Sequence, residues 1–159
     1  MIRIYVAGPY SSDNVLGVLT NMREGMRKST ELLLKGYAPF CPWLDYHFTL
    51  MLRGDEALTV PNYYDYSLAW LEVSQAVLLL PGYEKSKGTL AEIKRAEELG
   101  IPIFEPNEEH IMDKYFIEIK DGSQIIMAED TAKGKLLKKE EANDKSVCDT
   151  VSKVQGQDI

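Results

Sequence analysis

Cysteine and histidine are scarce: Cys41, Cys148, His47 and His110 are the only ones in 159 residues. The two cysteines lie far apart and form no CxxC unit, so a His/Cys metal cage is not expected, nor any metal or organic cofactor. Unpaired thiols fit a cytoplasmic protein. No apolar stretch reaches membrane-spanning length and the N-terminus lacks the layout of a signal peptide, so no membrane partner is expected. Basic charge is also in deficit, 18 Lys and Arg against 25 Asp and Glu for a net charge of −7, which argues against a nucleic-acid surface. Neither GxGxxG nor GxxxxGK[ST] occurs, which disfavours a dinucleotide fold and a P-loop kinase. What is present is a 45% hydrophobic content, enough to build the core of one domain.

Ala76-Val77-Leu78-Leu79-Leu80 is a wholly apolar run closed by Pro81-Gly82. It is too short for a core helix and reads as a strand buried on both faces of a parallel sheet. Ile2–Ala7 alternates and predicts the first strand, stopped by Gly8-Pro9. A helix follows, starting between Val15 and Asn21, with Met22, Met26, Thr30 and Leu33 on its inner stripe and Gly36 at its end. Tyr37–Cys41 predicts a second strand, and Pro39 places it at a sheet edge. Pro42–Val60 is aromatic and irregular, with room for a short helix near Asp45–Leu52. Pro61 opens a helix carrying Tyr64, Leu68 and Leu71, and a further helix spans Thr89–Leu99. Ile101–Phe104 predicts a fourth strand, Asn107 or a neighbour caps a helix to about Ile119, and Ser123–Ala128 is a candidate fifth strand.

Strands alternating with helices predict a three-layer, doubly wound α/β domain of flavodoxin or Rossmann-like type. Its four to five mostly parallel strands take the order 2-1-3-4-5, over residues 1–128. Residues 129–159 form a charged tail, read as a peripheral helix, a disordered segment or an arm onto a partner subunit. Ligands of such sheets sit outside the carboxyl ends of the strands where strand order reverses, here between strands one and three. Tyr5–Asp13, Trp43–His47 and Pro81–Glu92 then converge on one crevice.

At that crevice, Ser86, Gly88 and Thr89 offer hydroxyls and backbone donors at a helix start, as an anion site or as an ordinary cap. Glu92 falls in the same helix's first turn, either as a dipole-complementing acid or as a nucleophile toward an anomeric carbon. Tyr5 either orients that glutamate or is a core tyrosine. Asp65 is the leading second carboxylate, with Asp45 and Asp13 behind it. Trp43, Tyr46 and Tyr10 form a base-stacking surface or plain core, and His47 is a pocket residue or a cap.

The segments Ile4-Tyr5-Val6-Ala7-Gly8-Pro9-Tyr10 and Leu80-Pro81-Gly82-Tyr83-Glu84-Lys85-Ser86-Lys87-Gly88-Thr89-Leu90-Ala91-Glu92 resemble those of the nucleoside 2-deoxyribosyltransferase-like superfamily. That superfamily includes nucleoside 5′-monophosphate N-glycosidases. The resemblance spans about residues 1 to 105. It implies that Glu92 is the nucleophile forming a glycosyl-enzyme ester and that Tyr5 hydrogen-bonds it. It implies a small-molecule nucleoside or nucleotide substrate, contacted by Gly8, Pro9, Tyr10, Trp43, His47, Gly82, Ser86, Gly88 and Thr89, and a homo-oligomer. Transferases of the superfamily tend to carry aspartate where this chain has Ser86; the monophosphate hydrolases tend to carry serine. A hydroxyl accepts a 5′-phosphate that a carboxylate would repel, so Ser86 points to a nucleoside 5′-monophosphate. The chain departs from the pattern at Ser67, where an aspartate is usual, and at Gln75, where an acid is usual. Those departures keep a second reading open, a nucleotide-binding module without turnover. Gly88-Thr89-Leu90-Ala91-Glu92 also resembles the GTxxE portion of the motif in lysine-decarboxylase-like phosphoribohydrolases, which implies the same reaction class.

Overall fold

The computed structural model describes residues 1–120. The candidate fifth strand and the charged tail lie outside the described residues. Strands β1 (Arg3–Ala7), β2 (Ala38–Phe40), β3 (Ala76–Leu79) and β4 (Ile103–Phe104) form one parallel sheet in the order β2-β1-β3-β4. Helices α1 (Val15–Leu34), α2 (Tyr46–Met51), α3 (Val60–Glu72), α4 (Lys87–Glu98) and α5 (Glu109–Lys120) complete the described chain. The expected Rossmann-like α/β architecture is therefore present, with its strand reversal between β1 and β3.

Each sheet face has its own core. Ile4 and Val6 of β1, with Ala76, Leu78 and Phe104, pack under α1 and α5 through Met22, Leu32, Met112 and Phe116. The alternate residues Tyr5, Ala7, Val77, Leu79 and Ile103 face α3 and α4, meeting Leu71 and Ala96. The period of two along each strand thus sends neighbouring side chains into opposite layers. All of β3 is buried, as the uninterrupted apolar run requires.

Three local solutions shape the sheet's carboxyl end. Gly8 follows β1 so closely to β3 that a Cβ there would lie 2.8 Å from Leu80 Cβ, and only glycine fits without displacement. Trp43, in a single 3-10 turn at Pro42–Asp45, is seated on α1 against Gly25. The inner stripe of α1 accordingly runs Met22, Gly25, Ser29, Leu32, with Met26 at its margin, whereas Thr30 and Leu33 face solvent. The expected stripe is corrected by one position because glycine and serine, not large apolar residues, make the closest contacts. Strand β2 is at the edge, as Pro39 implied: Ala38 N–H donates inward to the Ile2 carbonyl at 2.8 Å, so alternation turns Pro39 outward.

Candidate active site

The phenol of Tyr5 rises from β1 into the α3–α4 layer and donates a hydrogen bond to Glu92 Oε1 at 2.7 Å. Phe40 stacks on its ring at a centroid distance of 5.3 Å, which fixes the direction of the hydroxyl. Ser67, on the inner face of α3, places its hydroxyl beside the same phenol. Burial raises the Glu92 carboxyl to about 7, and the Tyr5 hydrogen bond pulls it back toward the ionised form. The phenol itself is held well above its ordinary value by burial and by the neighbouring carboxylate. It therefore stays a donor across the working pH range, which leaves Glu92 Oε2 available to a ligand.

Glu92 lies against a cavity of about 630 Å³, within the range typical of small-molecule sites. Three loops at the strand ends line it. Gly8, Pro9, Tyr10 and Ser11 follow β1; Pro42, Trp43 and Asp45 follow β2; Lys85 to Thr89 follow β3. Helix α3 adds Val60, Tyr63, Tyr64 and Ser67, a set spaced at one helical face, and α2 adds Tyr46 and Thr49. Helix α2 buries no residue of its own. A 2.6 Å hydrogen bond between Thr49 and Tyr63 hydroxyls and an edge-on contact of Phe48 with Tyr66 hold it over α3.

The turn after β3 is built around the start of α4. Ser86 is the N-cap, its Oγ accepting from Thr89 N–H at 3.3 Å. The Thr89 hydroxyl donates to the Gly8 carbonyl at 2.9 Å and sits 2.9 Å from Ser86 Oγ, so it ties the end of β1 to the helix start. The first-turn N–H groups of Lys87 and Gly88 have no intrahelical acceptor and point outward from the helix start. Lys85 and Lys87 flank the cap, both exposed and outside any ion pair among the described residues. This end of the cavity favours an anion.

The wall after β2 has the opposite character. Asp45 is partly buried there, and burial lifts its carboxyl above the ordinary value while the Tyr46 amide opposes the shift. Tyr10 faces it, its phenol pushed up to about 12 by burial and by the fields of Asp45, Tyr63 and Tyr46.

Of the residues singled out in the sequence, Tyr5 and Glu92 are in contact, and Gly8, Pro9, Tyr10, Trp43, Ser86, Gly88 and Thr89 line the cavity with Glu92. Trp43 does so only as wall: it is 1% exposed, its ring lies on Gly25, and its Nε1–H donates to the Pro9 carbonyl at 3.2 Å. Four residues are not brought to the cavity, the exposed Asp13 among them. Asp65 is exposed, two positions from Ser67 and hence about 200° around α3. His47 is exposed and hydrogen-bonds the Leu44 carbonyl through Nδ1 at 3.0 Å. Gly82 serves the turn, with φ of +84° before the short 3-10 segment Tyr83–Lys85. Of the candidate second carboxylates, Asp45 lines the cavity. The sequence singles out neither Lys85, Lys87 nor Tyr63 as a site residue and reads Tyr64 only as part of a helix stripe, although the lysines' positions either side of Ser86 in a loop were a usable signal.

Among curated proteins none matches the sequence. Among solved structures, a 2-deoxyribosyltransferase from Bacillus psychrosaccharolyticus is similar at 15% identity and a TM-score of 0.49, over 65% of this chain and 70% of that one. A family model matches residues 2–105, the stretch from β1 through β4 that carries every cavity-lining residue named above. The chain belongs to that family, described as "Domain of unknown function (DUF7768)".

Proposed function

We propose that this protein cleaves or transfers the N-glycosidic bond of a nucleoside 5′-monophosphate, with Glu92 as nucleophile. The observation that carries the reading is the 2.7 Å Tyr5–Glu92 hydrogen bond beside a cavity with a cationic helix start at one end. In the ionised state Glu92 Oε2 attacks C1′, the C1′–N bond breaks, and its electron pair leaves with the base, which takes up a proton. Tyr5 holds Oε1 throughout, so the attacking oxygen keeps one orientation. Water, or a second base, then attacks C1′ of the ester and frees the carboxylate. A 5′-phosphate fits against Ser86 Oγ, the Lys87 and Gly88 N–H groups and the two lysines. None of these steps draws on a metal or an organic cofactor.

The test is release of free base from a panel of ribo- and deoxyribonucleoside 5′-monophosphates, compared with the corresponding nucleosides. Wild type is expected to act on the phosphorylated series, and Glu92→Gln to lose that activity. Undiminished release by the variant removes the mechanism.

The second reading, a nucleotide-binding module without turnover, has one observation in its favour. Ser67 lines the cavity where the superfamily resemblance calls for an aspartate, so a second acid is missing beside Tyr5. Gln75 gives it no support: it precedes β3 at the opposite end of the sheet, where its side-chain oxygen accepts from Arg3 N–H at 3.1 Å. Calorimetric binding of monophosphates with no base released from any of them would favour this reading over the first.

A further inference from the structure

The cavity is polar in a directional sense. Its post-β3 wall carries Lys85, Lys87 and a helix start; its post-β2 wall carries Asp45 within a sleeve of Tyr10, Tyr46 and Tyr63. Because β2 and β3 flank β1, these two walls are rooted two strand spacings apart, about 10 Å. Glu92 reaches the middle through Tyr5 on the central strand. The field of Asp45 is felt by Tyr10 and Tyr5, whereas the Glu92 carboxyl is shifted by burial and Tyr5 alone. Asp45 follows β2, so it is rooted across β1 from the anion-binding turn after β3. Among the described residues its side chain makes no ion pair and no hydrogen bond with another side chain. A partly buried acid opposed only by the next backbone amide, in a ligand-sized cavity, keeps acceptor capacity for a ligand donor.

We infer that Asp45 reads the nucleobase, its carboxylate accepting the N1–H and the 2-amine of guanine, so that guanine is taken in preference to hypoxanthine and xanthine. This rests on the nucleotide reading above, since it uses the phosphate end to fix which way round the ligand lies. A carboxyl group keeps at least one acceptor oxygen in either protonation state, and an amine can use it in both. Ionised, it accepts both N1–H and the 2-amine of guanine. Xanthine puts a carbonyl oxygen where that amine was, against the acid's lone pairs. Hypoxanthine lacks the 2-amine and so leaves one acceptor unmet. Acidic side chains accepting from the cytosine amine are a known pairing of the same kind.

The experiment is calorimetric binding of matched pairs, guanosine against inosine 5′-monophosphate and guanosine against xanthosine 5′-monophosphate. It is run on wild type under single-turnover conditions and on Glu92→Gln to block turnover, with and without Asp45→Asn. The aminated member is expected to bind roughly ten- to a hundredfold more tightly. Asp45→Asn, whose amide donates as well as accepts, is expected to erase or invert the preference while the 5′-phosphate is still required. Equal binding within each pair overturns the inference and leaves the role of Glu92 standing, and so does a preference that survives Asp45→Asn. No binding by any nucleotide overturns both. If Asp45→Asn does not fold, the wild-type pair ratios decide by themselves.

Discussion

Replacing Tyr5 by Phe isolates the single hydrogen bond on which the chemistry at Glu92 turns. Phenylalanine fills the same space and keeps the stack on Phe40, so the sheet and its core are retained. What is lost is one donor to a carboxylate, worth about 1.5–3 kcal/mol for a bond to a charged group. At 1.36 kcal/mol for each pKa unit, that is about one to two units. The bond pulls Glu92 down from the position that burial alone would give, and with it Glu92 lies at about 7. Without it the carboxyl moves to about 8–9. At pH 7 the ionised fraction then falls from about one half to between about one tenth and one hundredth, and base release slows by roughly five- to fiftyfold. The assay is the pH dependence of single-turnover base release for both proteins, fitted on the acid side. The variant's rise should come one to two pH units later and recover much of the deficit at high pH. An acid limb that stays at the same pH, with a uniform loss of rate, would refute the idea that Tyr5 acts by favouring the carboxylate.

The same shift has a stability consequence. Glu92 takes its proton more tightly in the folded chain, near 7, than at its ordinary value of 4.5, so its contribution is fully present below pH 4.5 and is lost as pH rises through about 7. Glu92→Gln should therefore gain up to about 3 kcal/mol on wild type between pH 4 and pH 8, read from urea unfolding at both pH values; a constant difference would contradict the shift. Gly25→Ala should be destabilising despite the roughly 1 kcal/mol that alanine adds to a helix. Its Cβ would fall 2.1 Å from Trp43 Cε3, and overpacking of that severity costs about 2 kcal/mol or more. Thermal unfolding and a red shift of the Trp43 emission would register it, and an unchanged Tm would show that Trp43 is not seated as described.

The sheet and half of the cavity were readable from sequence because they depend on strong local signals. An unbroken apolar run such as Ala76–Leu80 fits few environments, and Pro39 excludes a central strand. Ser86 and Thr89 sit at a helix start past a strand end, with Glu92 about one turn further on, where the rule for parallel sheets already puts the ligand. Which candidate acid lines the cavity was not readable, since choosing Asp45 over Asp65 needs the rotational phase of α3 and the path of the chain after β2. The stripe of α1 misled for a related reason. Gly25 is buried by the shape of Trp43, and hydropathy carries no record of a small residue chosen to admit a large one. Whether Trp43 is a stacking surface or plain core was likewise open in sequence, because an indole's free face and a covered one look alike there.

The outward turn of Pro39 bears on how copies of this chain can meet. A foreign strand joining the sheet beside β2 would look for an amide hydrogen at that position and find a pyrrolidine ring instead. Sheet extension across that rim is thereby discouraged, and association on that side of the molecule falls to side chains on the helices. Phe48 and Trp70, both about half exposed, stand nearest to hand for it.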